Sequence, residues 1–251
     1  MAKDVELTIW EHLDELRTRM VRVAIALFVA TAISVVFTGR ALQTLTLPLG
    51  DSVPQTIHPT ESFVVYFRIA LLGGITLSMP VIVYEVVRFM LPGLLPEERK
   101  YLYFLLPGAT FCFAGGVAFA AFIMLPAAIT FMQSFLSAII ENNWTLDNYI
   151  SFVTRILFWM GIVFQTPLVI FFLAKLGLVK AEQLSRFRKY AILGVAVIAA
   201  IVTPTPDPVN MMIVMVPLYL LYEVGILLAR LATAGKKNED EEEEEVAEAA
   251  T

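Results

Sequence analysis

Charge, cysteine and histidine are all scarce in this chain, and each scarcity closes a class of function. Only 16% of the 251 residues are charged, well under the share in a soluble domain. Cys112 is the only cysteine. It makes no internal disulfide and has no second thiol beside it to hold a metal. The two histidines, His12 and His58, fall on opposite sides of the membrane in the topology read below and share no site. There is no serine set with a histidine or lysine inside the apolar runs, no intramembrane pair of aspartates and no phosphate-binding loop. No internal repeat of the kind that marks many secondary transporters occurs. Residues 1–19 are strongly charged and do not read as a cleavable signal peptide. Catalysis, a cofactor, a metal and a nucleic-acid partner are therefore not expected.

What the chain has in abundance is apolar sequence. It is 58% hydrophobic, with a mean hydropathy of +0.75. Six uncharged stretches carry this excess: Val23 to Gly39, Ile69 to Tyr84, Tyr101 to Ile140, Ile156 to Ala174, Tyr190 to Pro206 and Val209 to Tyr222. A span needs roughly 17–25 mostly apolar residues, and charged groups at its ends can snorkel to water. The loops between the runs alternate in basic charge. Fifteen of the eighteen basic residues lie before the first run, between the second and third, between the fourth and fifth, or after the sixth. Arg40, Arg68 and Arg155 border the opposite loops. The positive-inside rule then predicts six transmembrane helices with both termini cytoplasmic.

Two runs have unusual lengths. Tyr101 to Ile140 is uncharged for 40 residues, enough for two spans. Two spans here would place Arg186, Arg188 and Lys189 outside, against the charge bias, so one span to about Met124 is expected. Pro126 is then expected to open an extra helix on the outer face, to about Ile140. The strictly apolar part of the fifth run, Tyr190 to Val202, is only about 20 Å long at 1.5 Å per residue. Such a helix falls short of the hydrocarbon core.

The predicted organisation is a membrane domain over residues 1–231 and an acidic tail over 232–251. The tail from Lys236 onward holds eight of the 23 acidic residues and reads as a disordered cytoplasmic appendage. Residues 8–20 read as an amphipathic cytoplasmic helix. Thr8 and Glu11 fit a capping box, and Ile9, Leu13, Leu16 and Met20 form an apolar stripe. On this helix Glu15 and Arg19 stand four apart and suit an ordinary surface ion pair.

Several segments, in order, resemble one family. HLDELRTRM, with His12, Leu13, Glu15, Leu16, Arg17 and Arg19, resembles the N-terminal signature of the TatC family, the largest subunit of the twin-arginine protein translocase. LTLPLG with Pro48, SMPVIVYEVVRFMLPGLLPEERK with Phe89, Pro92 and Glu98, and YISFVTRILFWMGIVFQTP with Gln165 and Pro167 follow the family's order. SRFRKYAI, TPTPDP with Asp207, and VPLYLLYEVGILLAR complete it. The likeness extends from about Thr8 to Leu231. One departure is Ala121, where some members carry a tyrosine.

The resemblance implies a receptor for the signal peptides of folded proteins. Those peptides bear two consecutive arginines and bind at the cytoplasmic face. Two guanidinium groups need carboxylates that grip them bidentately where water competes poorly. By resemblance Glu15 and Glu98 supply these, with Phe89 as an apolar or cation–π wall and Arg17 and Arg19 in the same signature. Pro96-Glu97-Glu98 also has the form of an ordinary helix start, with acids favoured by the helix dipole. Pro48, Gln165 and Asp207 are candidates for partner docking or for structure, and Arg155 for an interfacial anchor. Gln165 cannot change protonation, so it offers no proton relay. Pro80, Pro107, Pro126, Pro167 and Pro217 each remove a backbone donor and suit a curved, cup-like bundle. Six spans are too few to enclose a folded protein. Small single-span subunits of the TatA and TatB type are the implied partners, in an oligomeric complex in the bacterial inner membrane. A secondary transporter of a small solute is the alternative. It would require charged or broken helices at the membrane midplane, and Gln165 alone meets that requirement.

Overall fold

The computed structural model describes residues 9–50, 52, 54–90, 102–134, 144–203 and 208–249. Among them all regular structure is helical, apart from one isolated parallel bridge between Gln55 and Thr145. The helices are α1 (Ile9–Thr46), α2 (Glu61–Met90), α3 (Leu102–Phe119), α4 (Leu125–Ser134), α5 (Leu146–Val163), α6 (Thr166–Lys175), α7 (Ala181–Arg186), α8 (Arg188–Val202) and α9 (Pro208–Ala249). Among the described residues five stretches are long and apolar enough to cross a membrane: Trp10–Leu49, Glu61–Phe89, Leu106–Ser134, Leu146–Lys175 and Met211–Ala232. The chain is a multi-pass membrane protein. Exposed apolar faces such as Phe28 and Val36 on α1 are what a bilayer covers. The remaining apolar helix, α8, has 15 residues, about 22 Å at 1.5 Å per residue, so the shortness read from the sequence is present in the fold. Thr203 ends it, its N–H and its Oγ1 both donating to the Ala199 carbonyl at 2.8 Å.

Local structure departs from the sequence reading at four places. No separate N-terminal helix forms, because α1 runs unbroken from Ile9 to Thr46. No glycine or proline occurs between Ile9 and Thr38, so nothing stops the helix where the amphipathic stripe gives way to the span. Thr8, the other half of the expected capping box, lies outside the described residues. Pro126 does not open a detached helix either. A π turn at Ala120–Met124 joins α3 to α4, with the Leu125 N–H donating to the Ala120 carbonyl. This wide turn absorbs the donor that Pro126 lacks, and the helix continues. The fourth apolar run is broken, with Phe164 and Gln165 forming a turn between α5 and α6. Pro167, in the first turn of α6, cannot continue the ladder, and the Gln165 carbonyl accepts from Leu168 at 3.0 Å and Val169 at 2.9 Å. The backbone of α9 stays helical to Ala249, where a disordered tail is expected. Its Glu-, Ala- and Lys-rich sequence has high helix propensity.

The chain divides into two compact units. The first holds α1, α2, the start of α3 and residues Thr145–Asp147. Its core is an antiparallel α1–α2 hairpin. The helices touch where a Cβ on Gly73 would run into Ser34 Oγ and one on Gly74 would lie 2.7 Å from Thr31 Cα. Small residues allow this approach in place of the hydrophobic drive that lipid removes. Further along, Tyr66 OH donates to the Val35 carbonyl at 2.7 Å. At the hairpin's far end Arg68 pairs with Asp147 at 2.9 Å, and the Leu146 N–H donates to the Gln55 carbonyl.

The second unit uses the same device. A Cβ on Gly116 would meet the Met160 carbonyl at 2.6 Å, and one on Gly161 would meet the Phe113 ring at 2.6 Å, so each glycine accommodates the facing helix. Ile170, Ala174, Ala181, Ala229 and Ala232 form a buried cluster joining α6, α7 and α9. The α6 helix closes on Gly177, whose φ of +72° is a left-handed conformation that glycine adopts without strain.

Candidate functional site

Glu15, Arg19 and Arg22 stand on one face of α1, separated by four and three residues, as helical periodicity requires. Across the hairpin they meet Glu85 near the end of α2. Arg19 Nη1 donates to Glu85 Oε2 at 3.0 Å, and Arg22 Nη1 lies 3.6 Å from Glu85 Oε1. On its other side Arg19 donates through Nε, at 3.1 Å, and through Nη2 to Glu15 Oε1. The guanidinium therefore bridges two carboxylates. The Glu85 side chain is 7% exposed. Stranding such a carboxylate without its arginines would cost about 3–5 kcal/mol, so the pairs hold as a unit.

The other carboxylate is differently placed. Among the described residues Glu15 Oε2 has only His12 Nδ1 within ion-pair distance, at 3.7 Å. The Glu15 side chain is 24% exposed. Beside it the His12 ring stacks on Phe89, with centroids 4.3 Å apart and planes inclined by 20°. Arg17 is exposed. Arg88 turns along its own helix, its Nη1 donating to Tyr84 OH at 2.8 Å with the guanidinium over the Tyr84 ring. The hairpin end thus joins a half-buried carboxylate, the stacked His12 and Phe89 rings and two arginines, Arg19 and Arg22, paired with Glu85. Oε2 is the Glu15 oxygen that Arg19 leaves unengaged.

This arrangement brings together three of the expected site residues, Glu15, Arg19 and, through His12, Phe89, while Arg17 stands exposed on another face of α1. The surface pair of Glu15 and Arg19 is present too, extended by Glu85 into a network. Glu98, the second expected carboxylate, and its neighbour Glu97 lie outside the described residues.

A family model described as "Sec-independent protein translocase protein (TatC)" matches residues 11–217. The chain belongs to the TatC family. It is 37% identical to the TatC protein of Aquifex aeolicus over 90% of this chain and 96% of that one. With the TatC of Desulforapulum autotrophicum it shares 39% over 93% and 87%. A crystal structure of the twin arginine translocase receptor TatC superposes with a TM-score of 0.76 at 36% identity, over 89% of this chain and all of the other. A second, in the detergent DDM, gives 0.78 at 35%. The family is one of translocase components, not of enzymes.

The structure of this TatC chain places the other expected residues elsewhere. Pro48 lies in a 3₁₀ turn, Leu47–Leu49, that follows α1, just before Gly50 at φ +62°. Gln165 sits at the turn between α5 and α6, ahead of Pro167, within the apolar stretch Leu146–Lys175. Ala121 falls in the π turn, and Arg155 is exposed on α5. Asp207 lies outside the described residues.

Two acids went unnoticed in the sequence of this TatC chain. Glu85 is one. The other is Glu223 on α9, which accepts from Arg188 Nε and Nη2, both at 2.8 Å, and from Tyr219 OH at 2.9 Å. Each immediately follows an uncharged run, on the side where the basic residues collect. An acid in that position is the signal that would have found them, since it has to be paired with an arginine of a neighbouring span.

Proposed function

We propose that this chain is the receptor and core subunit of a twin-arginine translocase. It binds the paired arginines of signal peptides on folded precursors and gathers small single-span subunits, of the TatA and TatB type, for export. The carrying observation is the half-buried Glu15 carboxylate held by Arg19 next to the His12 ring that stacks on Phe89 at the α1–α2 hairpin end, in a chain of the TatC family. The solved relatives are twin arginine translocase receptors. Arginine suits the site because its planar fork engages a carboxylate bidentately and stacks on an aromatic face, which a lysine ammonium does not match. Glu98 is the second carboxylate in this reading, and Gln165 and Asp207 are contact points for partners or for the inserting peptide. The family removes the alternative of a small-solute transporter. In capture by detergent-solubilised protein, a precursor with paired arginines is retained and its paired-lysine version is not. Equal retention of both sinks the reading.

The site lies on the cytoplasmic face of the bacterial inner membrane, with both termini inside, because the basic loops demand it. Single cysteines at Asn143 and Ser185, with Cys112 replaced, test this with an impermeant thiol reagent on intact cells. Asn143 is expected to label and Ser185 to stay protected; the opposite pattern reverses the topology.

A further inference from the structure

We propose that Glu85 is a positioning residue for arginine recognition, acting on Glu15 through Arg19. This rests on the reading of Glu15 as a ligand for a signal-peptide arginine, and it assigns the part of the site that the TatC resemblance leaves empty. Arg19 gives Nη1 to Glu85 Oε2 and both Nε and Nη2 to Glu15 Oε1. All of the Glu15 contact with Arg19 is thus on one oxygen. Oε2 is left facing His12 at 3.7 Å, on the side where His12 stacks on Phe89. A glutamate on an exposed helix face samples many rotamers and loses that freedom when it grips a ligand. Here the freedom is already removed, so the carboxylate is preorganised. What removes it is the buried end of the network. Glu85 is tied to α1 by two arginines, Arg19 and Arg22, and Arg19 is held from the opposite helix. Without Glu85, Arg19 follows Glu15 as a loose surface pair and fixes nothing.

The alternative is that Glu85 merely clamps α1 to α2. The two roles differ in what they select. A lost clamp, or the repulsion of a ligand by uncompensated arginines, weakens binding of any cationic peptide. Loss of the Glu15 orientation weakens arginine far more than lysine, because a guanidinium aims a rigid pair of N–H groups at an oxygen held in one direction, whereas a lysine ammonium is a rotatable point charge.

The test is a double-mutant cycle on the full chain in detergent. The probes are two synthetic signal peptides that differ only in paired arginines or paired lysines. Glu85→Leu is expected to lower affinity for the arginine peptide about tenfold, 1.4 kcal/mol in binding free energy, and to leave the weak affinity for the lysine peptide unchanged. On a Glu15→Gln background it is expected to add nothing. Two further variants keep the test open if Glu85→Leu folds poorly. Arg19→Lys retains the charge but cannot fork onto both carboxylates, so it shows the same arginine-selective loss. Glu85→Gln keeps an acceptor oxygen for Arg19 and stays within about threefold of the parent affinity. Equal losses for both peptides, or a Glu85→Leu effect that persists in full without Glu15, overturn the positioning role. If Glu15→Gln is itself silent, the receptor site fails and this inference with it. If Glu15→Gln is effective while Glu85→Leu and Arg19→Lys are silent, only the inference fails.

Discussion

Glu15→Gln and Glu98→Gln are each expected to weaken capture of a paired-arginine peptide by about ten- to a hundredfold, and Glu97→Gln by far less. A hydrogen bond to a charged group contributes about 1.5–3 kcal/mol, and a bidentate guanidinium–carboxylate pair in a partly desolvated setting lies toward the upper part of that range. At Glu15, Oε1 already accepts twice from Arg19, so the ligand's N–H groups fall on Oε2, whose one ion-pair neighbour among the described residues is His12. The amide of glutamine keeps the shape but offers one acceptor instead of two and no charge. Glu98 carries the same expectation from its place in the family motif, and Glu97 that of a helix-start residue favoured by the dipole alone. Binding measured with purified variants decides the matter. Small, equal losses at all three positions would reduce Glu15 to a surface partner of Arg19.

The second large effect concerns transport and spares peptide binding. Inserting four apolar residues after Val195 lengthens α8 by about 6 Å, toward the roughly 30 Å of a hydrocarbon core. With 15 residues, α8 forces either a locally thinned bilayer or shielding by its neighbours, each at modest cost. We infer that the thin edge at α8 and α9 is where single-span subunits assemble and where the membrane opens. The insertion lies between Arg188 and Glu223 in the chain, away from the Arg188 end of α8 where the two pair, and far in sequence from the α1–α2 hairpin. Peptide binding is then unchanged, while transport in membrane vesicles and crosslinking of single-span subunits at this edge fall to a small fraction. Full transport with the longer helix would remove the thinning mechanism and leave the receptor role intact.

Much of this was legible in the sequence, for reasons that differ between residues. The apolar runs gave the spans because their signal is local and long. The shortness of α8 followed from where the uncharged sequence meets TPTPDP. Glu15 and Arg19 could be paired because they stand four apart on one helix. Glu85 could not be paired, since its partners on α1 lie more than sixty residues away and no periodicity reaches across a loop. The π turn before Pro126 and the break at Gln165 escaped for a related reason. A proline states that a donor is missing. Whether the helix ends, kinks or widens to absorb it depends on the packing of neighbours, such as Phe164 against Gly116.

The most direct measurement of the receptor claim is a site-specific photocrosslink. A photoreactive side chain at position 16, beside Glu15, and another at position 9, on the same helix but away from the network, are exposed to a precursor with paired arginines. The account predicts crosslinks from position 16 that map to the residues flanking the two arginines and vanish when these are changed to lysines, with position 9 much weaker. Crosslinks of equal strength from both positions, or crosslinks at position 16 that survive the change to lysines, would contradict it.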